Sequence, residues 1–138
     1  MAYLIKAAIA DPDAKQFVFR AQKTMYGGKG IRAQDEIFVF ASETEGGRGL
    51  IARGVVTVVT AVAIKRKDAK EHVTPRVSIE VRRVAKAKRS LGREDLKVFK
   101  NWDDGQPQTE LNFKFYRQAT PKIGGISAAA AAFLRQFF

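Results

Sequence analysis

The chain is dominated by short stretches in which apolar residues alternate with polar ones or run together over the length of a strand. Residues 3–9 form such an apolar run and predict a buried strand. Residues 35–41 and 50–64 form two more, and the glycine-rich turn at 45–49 between them predicts a hairpin. Both faces of the 50–64 segment are apolar, which indicates a central strand or a strand of a closed barrel. Residues 77–81 alternate strictly and predict a half-exposed strand.

Two other segments have the apolar spacing of helices. Asp11 and Pro12 have the residue types of an N-cap and a first helical position, and the apolar residues that follow predict a helix through Met25, ended by a glycine cluster. Ser127 is predicted to cap a final helix that runs through the alanine-rich segment to Leu134. The chain therefore mixes helices and strands.

The pattern between these segments is weaker. Residues 90–100 have slight helical character, residues 101–108 predict a loop, and the aromatic alternation of residues 111–117 predicts a strand. The elements together predict an α+β fold in which the sheet curls into a small barrel with helices at its ends. A length of 138 residues predicts a single domain over residues 1–138.

Composition excludes several kinds of chemistry. The chain has no cysteine, which rules out disulfides, thiol catalysis and thiolate-bound zinc. Its one histidine, His72, cannot form a histidine-based metal site alone, and a Ser-His-Asp triad is not credible around it. We expect no metal or other cofactor. No signal-like or membrane-spanning run is present, so a soluble, cytoplasmic protein that binds no membrane is expected.

Positive charge is concentrated in one quarter of the chain. The formal net charge is +11, and residues 65–100 contain 13 lysines and arginines against 5 acidic residues. Such a one-sided field attracts polyanions, and phosphate backbones are the commonest polyanionic partner because each neutralised phosphate releases counterions. Within this stretch, the residues predicted to hold phosphates are Arg82, Arg83, Lys86, Lys88 and Arg89.

Aromatic side chains supply the second feature that a nucleic-acid site needs, because their faces stack on unpaired bases. Phe38 and Phe113 are assigned to the core. Trp102 is the only tryptophan and lies in a polar loop, which makes it a candidate for a pocket wall or a stacking platform. Carboxylates at residues 103 and 104 have the pattern of an ordinary turn rather than of an acid–base pair.

Several segments taken together resemble the EVE domain family, and the resemblance spans nearly the whole chain. Gln34 to Ser42 is similar to the Gly-Asp-x-hydrophobic-aromatic-Tyr-x-Ser strand of that family, with Gln34 and Ala41 as departures. A third departure is Tyr3, where the family usually has tryptophan. The other similar segments are residues 49–56, 77–84, 91–97, 115–118 and 123–134.

The resemblance implies a PUA-like fold, a small mixed β-barrel flanked by helices. It also implies a nucleic-acid binder without catalytic activity that reads a flipped and modified base, as in the related YTH readers. By position, Lys6, Ser42 and Arg117 match the polar residue that ends the family's first strand, its serine and its late arginine.

Three hypotheses about function follow. The preferred one is a nucleic-acid-binding domain, for RNA or DNA, whose base pocket is formed near Lys6, Phe40, Ser42, Trp102 and Arg117. The alternative is an enzyme like the ASCH group, an amidohydrolase of modified cytidines, for which Lys6, Thr24 and Glu43 offer the residue types. The third is a basic protein-interaction module. The type of nucleic acid and the oligomeric state stay open.

Overall fold

A closed barrel of six strands forms the centre of the molecule. The computed structural model describes residues 1–62, 76–117 and 120–138. The strands are β1 (Ala2–Ala7), β2 (Gln16–Met25), β3 (Glu36–Ala41), β4 (Gly49–Ala61), β5 (Arg76–Lys86) and β6 (Lys122–Ile126). The helices are α1 (Arg93–Leu96), α2 (Pro107–Leu111), which continues as a π-helical turn over Asn112–Tyr116, and α3 (Ala128–Arg135).

The barrel is mixed, and its strands follow the order β1-β3-β4-β5-β2-β6. Two neighbouring pairs are parallel, β1 with β3 and β2 with β6, and the other four are antiparallel. The barrel closes because β6 pairs with β1 on one side and with β2 on the other. The prediction of a small mixed barrel flanked by helices is therefore confirmed. Among the described residues, no helix has the length and apolar character to cross a bilayer.

Hydrophobic residues form two layers on either side of the barrel wall. The interior layer takes residues from all six strands, among them Ile5, Val39 and Val56. The outer layer lies between the wall and the helices, and it includes Phe38 and Phe40 from β3. Successive residues of a strand point to opposite faces, so β1 and β3 contribute to both layers and are buried along almost their whole length. This explains why these two segments are apolar without a clear alternation.

The predicted hairpin and the half-exposed strand are confirmed. β3 pairs antiparallel with β4, and β4 pairs antiparallel with β5. The described part of β4 ends at Ala61, and residues 63–64 of the predicted strand lie outside the described residues, as do Lys65, Arg66, Lys67, Lys70 and His72.

The predicted helix that begins at Asp11 is wrong. Asp11 does accept a hydrogen bond from the Asp13 amide, at 3.0 Å, but it closes a turn that leads into β2. Phe17 and Phe19 are buried while Val18 between them is 55% exposed, which is the period of a strand. The helical spacing fitted the segment because it counted Val18 and Met25 as members of an apolar face, whereas both side chains are exposed.

The predicted strand over residues 111–117 is also wrong. Pro107 occupies the first turn of α2, and the chain remains helical through Tyr116. Leu111 and Phe115 are buried and four residues apart, so they lie on one helix face, whereas the alternation had paired Phe113 with Phe115. The predicted final helix is confirmed, since Ser127 accepts a hydrogen bond from the Ala130 amide at 3.1 Å.

A close approach between two loops sets the position of α1. Gly49 has a φ of +83°, and a Cβ added to it would lie 2.2 Å from the Leu91 carbonyl oxygen. The amide of the next residue, Leu50, donates to that oxygen at 2.8 Å. The loop before α1 is thereby held against the start of β4, next to Glu43.

We expect Gly49→Ala to destabilise the protein much more than Gly46→Ala. Both glycines adopt the left-handed backbone conformation. Gly46 has a φ of +84°, and no heavy atom lies within 4 Å of a Cβ added to it. Gly46→Ala should cost about 1–2 kcal/mol of unfolding free energy, the conformational penalty alone. Gly49→Ala adds the clash with Leu91, so its loss should be clearly larger. Urea unfolding of the two variants measures the difference, and equal losses would contradict the role given to the close approach.

Candidate nucleic-acid interface

The helical segment that follows the barrel forms one wall of a basic cleft. Asn112, Phe113, Tyr116 and Arg117 line it together, because residues four apart share a helix face. The Arg117 guanidinium lies 4.8 Å from the centre of the Phe113 ring, in the range of a cation–π contact. The π-helical turn closes with a hydrogen bond of 2.9 Å from the Arg117 amide to the Asn112 carbonyl, which fixes this face.

The opposite wall comes from α1 and the turn that follows it. Its residues are Arg93, Lys97 and Lys100, all of them exposed cations. Lys97 is paired with the exposed Glu94 at 2.5 Å, a surface pair that contributes little and that a competing anion can displace. The cleft has a volume of about 370 Å³. Its four cations and two aromatic side chains combine the groups that bind phosphates and bases.

A narrow crevice extends from the cleft toward the barrel wall. Lys6, Glu43 and Thr44 line it, and Arg93 and Tyr116 line both the crevice and the cleft. The space is about 10 Å³, close to the room that one water molecule needs. The crevice is therefore too small for a base, which could reach it only with an edge.

Hydrogen bonds fix the polar groups of this crevice. The Lys6 ammonium donates to the Phe115 carbonyl at 2.7 Å and lies 4.4 Å from the centre of the Tyr116 ring. The Tyr116 hydroxyl donates to Glu43 Oε1 at 2.9 Å, and the Arg93 amide donates to Glu43 Oε2 at 2.6 Å. Glu43 thus connects the two walls of the cleft at its inner end.

Burial governs the ionisation of these groups. Loss of hydration lowers the pKa of Lys6, and the nearby Glu43 carboxylate opposes part of that effect. Burial and then the Glu43 charge raise the pKa of Tyr116 far above its ordinary value, so its hydroxyl stays protonated and able to donate. The pKa of Lys122, which faces Lys6 across β1 and β6, is also lowered, first by burial and then by repulsion from Lys6.

Four of the predicted site residues converge on the cleft and crevice. Lys6 and Arg117 line them directly. Phe40 and Ser42 are only 1% exposed and lie behind the surface: the Phe40 ring packs on Tyr116 with 6.3 Å between ring centres, and Ser42 shares a hydrogen bond of 2.9 Å with Thr44. A role for these two in binding would be to position the lining residues. All four stay predictions as ligand contacts.

Trp102 lies apart from that group. It is 73% exposed and lines a separate cavity of about 260 Å³ with Phe113 and Lys114. Phe113 lines both cavities, so the two adjoin across its ring. The single pocket expected around all five residues is in fact two neighbouring spaces.

The basic residues predicted on β5 and just after it do not line the cleft. Arg83 donates to the Asp13 carbonyl at 2.8 Å, and Lys86 pairs with the Asp13 carboxylate at 2.6 Å. Arg89 donates to the Gln136 carbonyl at 3.1 Å and lies over the Phe137 ring. These side chains hold the loop before β2 and the C-terminal segment in place. Arg82 on β5 and Lys88 just after it are exposed, and phosphate contacts by all five residues stay predictions.

The sequence interpretation missed most of the cleft. It placed Phe113 in the core, whereas the ring is only partly buried and separates the two cavities. The strand prediction for residues 111–117 hid the shared face of Asn112, Phe113, Tyr116 and Arg117. Pro107 followed by Glu110 was the signal that could have revealed it, since proline favours the first turn of a helix and acids favour its N-terminal end.

Solved structures with the same fold place this arrangement in context. No protein-family model and no curated protein sequence matches the chain. The DUF55 domain of human thymocyte nuclear protein 1 has a TM-score of 0.64 at 13% identity, covering 99% of this chain and 97% of that one. Human THYN1 in complex with 5-methylcytosine-containing DNA has a TM-score of 0.62 at 14% identity, covering 98% and 95%.

A protein from Pseudomonas putida has a TM-score of 0.62 at 13% identity, with 99% of both chains covered. These likenesses, over nearly complete chains, show that the chain has the fold of the DUF55 domain, and they support the predicted small mixed barrel flanked by helices.

The buried ammonium of Lys6 should give the stability of the protein a distinct pH dependence. Its pKa is below the ordinary 10.5 in the folded state, so the unfolded chain binds more protons between the two values and stability must rise with pH there. Relative to Lys6→Met, the wild type should therefore gain stability as pH rises through the folded pKa toward 10.5. Thermal unfolding from pH 7 to pH 10.5 tests this. The exposed Lys29→Met is the control, and a Lys6→Met difference that stays constant with pH would contradict the burial of a charged amine.

Proposed function

We propose that this chain binds nucleic acid, holding phosphates on the cations of the cleft and one unpaired base between its aromatic side chains. The observation that carries the proposal is the convergence of Arg93, Lys97, Lys100 and Arg117 with Phe113 and Tyr116 around one space. Its volume of about 370 Å³ lies in the range of roughly 300–1,000 Å³ that small-ligand sites occupy.

The chemistry of the cleft suits a base with an exocyclic amino group. Glu43, at the inner end, still has carboxylate lone pairs beyond the two hydrogen bonds that it accepts, and Lys6 has donor hydrogens beyond the one that it gives to Phe115. A base edge pointing into the crevice would meet an acceptor beside a donor. Cytosine presents the complementary pair, an amino group beside a ring nitrogen, and a carboxylate is a usual acceptor for that amino group.

The likeness to human THYN1 supports the choice of the first ligand. That protein was crystallised with DNA containing 5-methylcytosine. We therefore propose 5-methylcytosine in DNA as the first base to test, with RNA of the same sequence as the alternative. No step of this proposal requires catalysis.

Arg117→Ala should weaken binding, whereas Arg20→Ala should not. Both variants remove one positive charge, but Arg20 is exposed on β2 and lines a different surface, beside Val18 and Val58. Loss of one charge-assisted contact should reduce affinity by about tenfold or more and lower the salt slope by about one. Fluorescence anisotropy with labelled oligonucleotides, methylated and unmethylated, at several salt concentrations measures both effects.

Two results would count against the proposal. Equal losses in Arg117→Ala and Arg20→Ala would mean that the overall charge attracts the ligand and that the cleft has no special part. Binding of the wild type that disappears at moderate salt, with no preference for any base, would remove the base-binding half of the proposal and leave only phosphate contacts.

The amidohydrolase hypothesis has one observation in its favour, which is that Lys6 and Glu43 line the same crevice. The third residue named for it, Thr24, is buried on β2, and the hydroxyl residues that line the crevice are Thr44 and Tyr116. If the chain were such an enzyme, acylated cytidines should be hydrolysed and Lys6→Ala should abolish the turnover. Chromatography of the reaction products, with Lys29→Ala as the matched variant, decides this; no turnover across a panel of acylated cytidines would reject the hypothesis.

A further inference from the structure

The cavity beside Trp102 has features that the binding of one base does not explain. A tryptophan that is 73% exposed leaves a large apolar face in water, and this one forms a wall of a space of about 260 Å³. Phe113 lines the same space, and its ring also lines the basic cleft. The two cavities therefore adjoin at the Phe113 ring, and each of them has an aromatic wall.

The loop that carries Trp102 is fixed by its own hydrogen bonds. The Asp104 amide donates to the Asn101 carbonyl at 3.0 Å, and Asp104 accepts from the Gln106 amide at 2.9 Å and from the Thr109 hydroxyl at 3.0 Å. These contacts tie the loop to the first turn of α2. The backbone that carries Trp102 is thus held in place, which lowers the conformational entropy lost when a ligand stacks on the ring.

The cations that could hold a phosphate backbone lie on the cleft side of this cavity. Lys100, two residues before Trp102, lines the basic cleft, and Lys114 lines the tryptophan cavity. The nearby carboxylate of Glu110 is engaged by Lys114 at 3.0 Å and by the Ser127 amide at 2.8 Å, so its charge is largely compensated. The Lys114 ammonium is itself held by Glu110 and donates to the Gly125 carbonyl at 2.9 Å, so a phosphate between the two bases would be held from the cleft side, by Lys100 and Arg117.

We infer that Trp102 is a stacking platform for a second unpaired base, adjacent in the strand to the base in the cleft, so that the chain binds a single-stranded stretch of at least two nucleotides. The inference rests on the proposed function, because it places the first base in the cleft. Base pairing would hold both bases in the duplex stack, so a duplex cannot use the two surfaces together. A single strand can, because each of its bases presents a π face.

The single tryptophan makes the test direct. Intrinsic fluorescence and anisotropy are followed in the same titrations, with a labelled single-stranded 12-mer, its duplex and the labelled mononucleotide. We expect the single strand to quench Trp102 in proportion to the bound fraction. Trp102→Ala should lower affinity for the single strand by about five- to 150-fold, the range that base–aromatic stacking gives, and leave mononucleotide binding unchanged. Trp102→Phe should retain most of the affinity.

The controls separate this inference from the proposed function. Val84→Ala removes another exposed apolar side chain, on β5, and should change nothing; an unchanged melting temperature shows that each variant is folded. Two results would overturn the platform and leave the cleft intact. In the wild type, the single strand would change the anisotropy without changing the tryptophan fluorescence. Alternatively, it would quench the wild type but bind Trp102→Ala with undiminished affinity. Equal binding of duplex and single strand would overturn it as well. Failure of the wild type to bind any of the three would overturn the proposed function itself.

Discussion

The packing of Phe115 against Gly124 of β6 is the contact on which the rest of the site depends. A Cβ on Gly124 would lie 2.9 Å from the tip of the Phe115 ring, so only glycine lets the π-helical turn approach the barrel wall this closely. Phe115 is fully buried there, and its carbonyl is consequently within 2.7 Å of the Lys6 ammonium. The next residue, Tyr116, is thereby placed over Lys6 and against Glu43. The geometry of the cleft is a consequence of this one approach.

Burial of the Lys6 ammonium costs folding free energy, and the barrel does not need a charged residue at this position. A buried ammonium loses hydration, and an apolar residue of similar size at this position would join the outer hydrophobic layer that Leu4 and Phe40 already form. The structure compensates the charge through the Phe115 carbonyl and the Tyr116 ring, and Glu43 is close enough to affect the ionisation of Lys6. The ammonium groups of Lys6 and of Lys122, on the neighbouring strand, repel each other, so Lys122 does not compensate the buried charge. Polar groups that are expensive to bury and that converge at the end of a cleft are typical of binding and catalytic sites.

The sequence predicts the type of secondary structure correctly where buried and exposed residues alternate clearly. It does so poorly where a short apolar pattern fits both a helix and a strand. The hairpin of β3 and β4, the strand β5 and the cap at Ser127 follow from local patterns that tertiary packing does not alter. β2 was mistaken for a helix because its exposed apolar residues, Val18 and Met25, fit a helical face together with Phe17. The segment after Leu111 was mistaken for a strand because alternating aromatic residues in a short run fit either period. That second error hid the cleft, since the helical turn brings Asn112 and Tyr116 beside Phe113 and Arg117, whereas a strand would put these two pairs on opposite faces.

Net charge predicts a type of partner, but it does not identify which cations lie beside a cleft. The five cations singled out on β5 and just after it include three that hold neighbouring segments, Arg83, Lys86 and Arg89, through backbone carbonyls and Asp13. The cations of the cleft come instead from α1 and the π-helical turn, where exposed lysines and arginines face aromatic rings. A charge count cannot distinguish the two groups, because it records neither the partner of a side chain nor the surface beside it. The cations of the cleft differ from the others in their position at its rim, next to an aromatic wall, and that position is set by the fold.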